Sequence, residues 1–210
     1  MAVITVQGIT KTIKQQTIFH NISFALHEGT CTGIIGHNGS GKSMIMKAIC
    51  GFTPVDQGSI MAHGQTVLCG KHFIKDTGVI IESPSFFNHL SGFKNLKLLA
   101  EIQNNITDET IIEVLDVVGL HAVAHKKVGA YSLGMKQKLR IAQAMMEKPS
   151  ILIIDEPFNG LDKTSVEQIQ KLLLDYKNAG NTILLTSHDE RQIDYLCDVV
   201  YELNNGEMLH

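Results

Sequence analysis

The chain has 210 residues, enough for one large domain or two small ones, and its 44% hydrophobic and 19% charged residues exclude an intrinsically disordered protein. Against 21 Asp and Glu stand 18 Lys and Arg, a formal net charge of −3, so the charge balance gives no reason to expect nucleic acid as a partner. Mean hydropathy is slightly positive at +0.07, yet the longest apolar runs, such as 151–154 and 183–185, are far short of the roughly 20 residues that a helix needs to cross a bilayer. No basic segment followed by an apolar run opens the chain, so the protein is expected to stay in the cytosol.

Taken in chain order, apolar and β-branched runs at 3–6, 17–26 and 30–35 predict strands, and 42–50 predicts a helix stopped by Gly51 as a C′ glycine. Strands follow at 66–68 and 77–81. From about residue 90 to 148 the alternation ends, and three helix-like segments occupy 93–102, 108–118 and 134–147 with no strand among them. Thr107 is the N-cap candidate of the second, with acidic residues in its first turn and Gly119 beyond its end; Ser132 precedes the third and Pro149 follows it. Strands return at 151–154 and 182–186, on either side of a helix at 163–178 whose Val166, Ile169, Leu173 and Tyr176 form an apolar face before Gly180. Asn204-Asn205-Gly206, between runs at 199–203 and 207–210, predicts a closing hairpin. Several strands lack a polar face, as in a sheet covered on both sides. The reading is an α/β core with a helical insertion. Cys31, Cys50, Cys69 and Cys197 sit in apolar stretches with no Cys-x-x-Cys pair and are expected to be reduced, buried thiols.

Two segments carry chemistry on physical grounds. Gly36-His37-Asn38-Gly39-Ser40-Gly41-Lys42-Ser43 fits G-x-x-x-x-G-K-[ST] and lies between a strand and a helix. Its glycines let backbone N–H groups curl around phosphate oxygens, the helix start adds positive partial charge, Lys42 can reach the β- and γ-phosphates, and the Ser43 hydroxyl can ligate Mg²⁺. The run 151–154 ends in Asp155-Glu156-Pro157, where one carboxylate can hold the magnesium shell and the next can polarise a water; Asp155 is assigned the first role and Glu156 the second. A third segment, Tyr131-Ser132-Leu133-Gly134-Met135-Lys136-Gln137, places an N-cap serine and exposed amides at a helix start, which serves equally as a well-capped helix or as an anion site.

This third segment resembles the signature of ATP-binding cassette (ABC) proteins, usually L-S-G-G-Q: Ser132, Gly134 and Gln137 are read as matching, while Leu133 and Met135 depart from it. The other landmarks fall in order. Asn159-Gly160-Leu161-Asp162 resembles the D-loop, and Thr186-Ser187-His188-Asp189-Glu190 resembles the switch-histidine segment. The resemblance implies an ATPase that uses ATP and Mg²⁺, with a mostly parallel P-loop NTPase core, an N-terminal antiparallel β subdomain and a helical insertion. It implies one cassette over 1–210, with 1–84 and 149–210 as the nucleotide-binding core and 85–148 as the helical signature subdomain. It also implies a second nucleotide-binding subunit, expected as an identical copy, whose signature touches the γ-phosphate in trans, with the D-loop Asp162 at the seam. His188 would hydrogen-bond the γ-phosphate and place Glu156. An integral membrane permease would be driven by the pair, so the chain would sit at the inner face of the membrane.

Two positions depart from the family. Its adenine-stacking aromatic aligns with Ile13, which lacks a π-face. Its Q-loop glutamine aligns with Glu82, an oxygen donor that would join Ser43 and Asp155 around Mg²⁺ but adds negative charge beside the triphosphate. Residues 82–96 resemble the ATPases of exporters that protect bacteria from peptide antibiotics, the lantibiotic-immunity and bacitracin-resistance types, and Phe86 and Phe87 there are read as core residues or as part of a groove for a permease helix. A soluble kinase or nucleotidase is the alternative, disfavoured because Arg140 and Arg191 are the only arginines; a non-transport ABC ATPase is disfavoured by the lack of a second cassette or long arms. His121 and His125 have metal-binding spacing but no third ligand nearby, and Lys136, Lys138 and Arg140 are expected to be solvated.

Overall fold

The computed structural model describes residues 1–82, 86–103 and 106–209. Residues 83–85 of the 82–96 stretch, the proposed boundary at 84/85 and the last hairpin residue, His210, fall outside them.

Two sheets form the frame. The first is antiparallel, with strand order β2-β1-β4-β5, made of β1 (Ala2–Ile13), β2 (Gln16–His27), β4 (Gln57–Ala62) and β5 (Gln65–Thr66). The second has order β10-β9-β3-β8-β7-β6: β3 (Cys31–Ile35), β6 (Thr77–Ile80), β7 (Ile151–Ile154), β8 (Thr182–Ser187) and β9 (Val199–Asn204) run parallel, and β10 (Glu207–Leu209) returns antiparallel at one edge. Helix α1 (Lys42–Ile49) follows β3, α2 (Gly92–Gln103), α3 (Asp108–Val117) and α4 (Leu133–Met145) fill the insertion, and α5 (Lys163–Asn178) joins β7 to β8. This is an α/β fold. Among the described residues no helix is long and apolar enough to cross a membrane.

Burial explains the sheet. Every residue of β7 and β8 is buried, and successive side chains alternate between two apolar layers. Ile151, Ile153 and Leu184 join α1 and the antiparallel sheet, whereas Leu152, Ile154, Ile183 and Leu185 join the insertion helices and α5. Helix ends follow the local chemistry. Thr107 accepts from the Thr110 N–H at 3.3 Å and Ser132 from the Met135 N–H at 3.2 Å. Asn205 and Gly206 supply the two positive-φ positions of the final hairpin.

Two expectations are corrected and one strand is added. The added strand, 57–62, carries no strand signal in the sequence, and pairing with β1 supplies what its mixed composition lacks. The strand expected at 66–68 stops at Thr66, because Leu68 turns back to bridge His72. Of the four cysteines, Cys31 and Cys50 are buried, Cys197 is half-buried and Cys69 is exposed in that same turn. The Cys31 and Cys197 thiols lie 3.4 Å apart, and burial pushes the Cys50 thiol up to about 12.

The parallel sheet meets the insertion where β6 passes α4. A Cβ on Gly78 would lie 2.1 Å from the Ala144 carbonyl oxygen, backbone that cannot rotate away. Gly78→Ala is therefore expected to lower stability by about 1–3 kcal/mol, read as a lower denaturant midpoint; an unchanged midpoint would mean that α4 shifts freely on the sheet.

Candidate nucleotide site

The site lies at the C-terminal ends of adjacent parallel strands, where open α/β sheets leave a crevice. β3 runs into the loop 36–41 and α1; β8 lies beside it and ends at Ser187; β7 lies beside β8 and ends at Ile154. The loop needs its glycines for space and shape: a Cβ on Gly36 would lie 2.4 Å from the Leu203 carbonyl oxygen, and Gly41 caps α1 with φ +108. No side chain caps this helix, so the first-turn amides are left for an anion. His37, Asn38 and Gly39 are exposed, and Ser40 is buried with its hydroxyl unpartnered.

Lys42 is buried and folded onto its own loop, donating to the carbonyls of Gly36 at 2.6 Å and His37 at 3.1 Å, with its ammonium 3.7 Å from Glu156 Oε1. Ser43 donates to Asp155 Oδ2 at 2.5 Å, and Thr186 donates to Asp155 Oδ1 at 2.6 Å. The Thr186 hydroxyl also accepts from the Glu156 N–H at 3.0 Å. Glu156 holds a left-handed backbone, φ +51. Its Oε2 meets His188 Nδ1 at 2.8 Å, while its Oε1 is buried without a hydrogen-bond partner. Lys42, Ser43, Asp155, Glu156 and His188 are thus brought together. Thr186 was read only as part of a motif; the signal for it was the hydroxyl pair Thr186-Ser187 ending an apolar strand.

A cleft of about 290 Å³ is lined by Ile18, Gly39, Lys42, Ser43, Lys47, Glu82, Asp155 and Glu156, among others. Glu82 is exposed, has φ +62 and pairs with Lys47. Ile13 does not line the cleft: it lies half-exposed at the end of β1, before the hairpin turn, and Ile18 occupies the wall beside Gly41. A serine hydroxyl on a carboxylate oxygen suits a hard divalent cation that draws its other ligands from phosphate and water. Among the described residues no group of three or more His, Cys, Asp or Glu forms an all-protein metal cage. In particular, the His125 ring packs against Phe93.

The signature segment divides. Ser132 and Leu133 are exposed, and Gly134 and Met135 half-buried. Leu133 rests on Gly160, where any side chain would collide with it. Gln137 faces inward: it is buried, donates to the carbonyls of Glu156 at 3.2 Å and Pro157 at 3.1 Å, and accepts from Arg140 at 2.9 Å. Lys136, Lys138 and Arg140 are all half-buried, Lys138 donates to Gln168 at 3.2 Å and the Arg140 Nε has no hydrogen-bond partner, so the run expected to be solvated is only partly so. Asp162 caps α5, and the Ser165 N–H and hydroxyl hold its carboxyl below the usual carboxylate range. Phe86 packs on the core, and Phe87 is exposed with its backbone held by the Asn95 side chain.

Comparison with known proteins agrees with this geometry. The sequence model of the ABC transporter family matches residues 19–159, and an AAA domain model matches 127–193. An uncharacterized ABC transporter ATP-binding protein of Bacillus subtilis, YybJ, is 40% identical over 98% of this chain and 94% of its own length. The bacitracin transport ATP-binding protein BcrA of Enterococcus faecalis is 34% identical over 99% of this chain and 68% of its own. The lantibiotic transport ATP-binding protein SrtF of Streptococcus pyogenes is 32% identical over 97% and 88%. Among solved structures, an ATP-binding cassette captured as a post-hydrolysis dimer with ADP and Pi superposes with a TM-score of 0.88 at 21% identity, covering 99% of this chain and 97% of that one. The family match and the identity to these relatives over nearly the whole length establish that the chain belongs to the ABC transporter family, as an ATP-binding ATPase subunit.

Proposed function

We propose that two copies of this cassette close head to tail around two Mg-ATP molecules and drive a separate membrane permease that exports a peptide antibiotic, from the cytoplasmic face of the membrane. The observation that carries the hydrolytic part is the bonded set Ser43–Asp155–Thr186–Glu156–His188 beside the phosphate loop. The cargo class is supported by likeness to a bacitracin and a lantibiotic transport ATP-binding protein, together with Glu82 at the Q-loop position. On this reading 1–84 and 149–210 bind nucleotide and 85–148 present the signature.

The chain's own groups account for each part of the work. The amides of 36–43 and the open α1 start receive phosphate oxygens, and Lys42 exchanges its loop carbonyls for the β- and γ-phosphates. Ser43, Asp155 and Glu82 would hold magnesium, which supplies positive charge to the triphosphate. Glu156 Oε1, buried and accepting no hydrogen bond, with only the Lys42 ammonium 3.7 Å away, is the acceptor for a proton of the attacking water, and His188 fixes the other oxygen. Ser132, Leu133, Gly134 and Met135 of the second copy reach the γ-phosphate, with Asp162 at the seam. Ile18, in the cleft wall, supplies apolar contact to adenine in place of Ile13.

Glu156→Gln keeps the shape and removes the base. Turnover is expected to fall by about 10²–10⁴ while ATP binding persists and a dimer accumulates in size-exclusion chromatography with light scattering; undiminished turnover contradicts the role. Thr186→Val removes only the hydroxyl between Asp155 and Glu156, and should lower kcat about tenfold to a hundredfold with a smaller change in KM. For the transport reading, co-expression with a candidate permease should raise bacitracin or lantibiotic tolerance in a way lost with Glu156→Gln; equal tolerance with both forms sinks it.

A further inference from the structure

At the mouth of the cleft an ion pair stands outside the constellation described above. Lys47 lies one turn beyond Ser43 on α1, on the same helix face, and its ammonium pairs with the Glu82 carboxylate. Both side chains line the cleft that holds Ser43, Asp155 and Glu156. Of the two cations in that lining, Lys42 is committed to the carbonyls of Gly36 and His37 and to Glu156, which leaves Lys47 to face Glu82. The Lys47 and Glu82 side chains are 27% and 64% exposed, and ion pairs so open to water are weak and readily exchanged. Glu82 is also held at φ +62, a backbone state that a non-glycine residue keeps only under constraint. A carboxylate at this position presents two opposed demands: it repels a triphosphate, and it is a good oxygen ligand for a divalent cation.

We propose that Lys47 is a positioning residue that neutralises Glu82 in the nucleotide-free protein and yields it to the cation when Mg-ATP fills the cleft. This rests on the Mg-ATP reading of the site. Lys47 and the cation then compete for one carboxylate. Without Lys47, metal-free ATP meets an uncompensated negative charge and binds more weakly, whereas ATP with magnesium finds the carboxylate already free. The advantage that magnesium confers on ATP binding must therefore grow when Lys47 is removed, and must stop depending on Lys47 once Glu82 carries no charge.

The measurement is the dissociation constant of a fluorescent ATP analogue, in EDTA and in excess Mg²⁺, for the parent, Lys47→Met, Lys47→Arg, Glu82→Gln and the Lys47→Met/Glu82→Gln double variant, each checked for folding by circular dichroism. The readout is the ratio of the two constants, which a uniform structural loss leaves unchanged. Lys47→Met should raise this ratio about threefold to tenfold, Lys47→Arg should keep the parent ratio, and adding Lys47→Met to Glu82→Gln should not move it. A ratio unchanged in Lys47→Met, or raised equally in the Glu82→Gln background, overturns the proposal. A parent ratio near one overturns the Mg-ATP reading and this role with it, while a parent ratio well above one with unresponsive variants overturns this role alone.

Discussion

The site is organised around the two short hydrogen bonds that Asp155 accepts at once, from Ser43 on α1 and from Thr186 at the end of β8. Both are charge-assisted, and bonds of this kind are about twice as strong as neutral ones. They tie three segments that are far apart in sequence, and they do so because β3, β8 and β7 are neighbours in the parallel sheet. The phosphate loop leaves β3, the acidic pair leaves β7, and the histidine segment leaves β8. Any other strand order would separate these groups, so the topology is itself part of the chemistry.

Glu156 shows how the site stores its readiness. A left-handed backbone at a non-glycine residue costs about 1–3 kcal/mol, and a buried oxygen that accepts no hydrogen bond adds to that cost. Both features occur at this one residue: Oε1 accepts no hydrogen bond, and its ion pair with Lys42 is long, at 3.7 Å, because the ammonium also bonds the carbonyls of its own loop. The N–H bond to Thr186, the His188 contact and the Gln137 bond to the Glu156 carbonyl hold the residue in this state from three directions. A ligand that draws Lys42 away and places a proton donor at Oε1 relieves the cost, which is the arrangement expected of a preorganised hydrolytic site.

Much of this was legible in the sequence because it depends on local spacing: the phosphate loop between strand and helix, the acidic end of a buried strand, and the capping residues Thr107 and Ser132. What was not legible depends on packing. The strand 57–62 has little apolar pattern of its own and exists through its pairing with β1, including a close approach at Gly58, where a Cβ would lie 2.4 Å from the Gln7 carbonyl oxygen. Ile18 lines the cleft and Ile13 does not, and the β1–β2 register, with its shifts, is something no periodicity records. Gln137 lies two positions beyond Met135 on α4, and only the packing of that helix against the end of β7 shows that one is buried and the other half-exposed. Leu133 is tolerated at a family glycine position because Gly160 leaves room opposite it.

The central claim is that the loop 36–43 and the bonded carboxylates form one Mg-ATP site, poised but turned inward. The most direct measurement is a crystal structure of the protein with Mg²⁺ and a non-hydrolysable ATP analogue. The account predicts that the Lys42 ammonium leaves the Gly36 and His37 carbonyls for phosphate oxygens, and that Ser43 and Asp155 turn from each other to the cation. A triphosphate bound while Lys42 keeps both loop carbonyls, or seated away from the loop altogether, would contradict it.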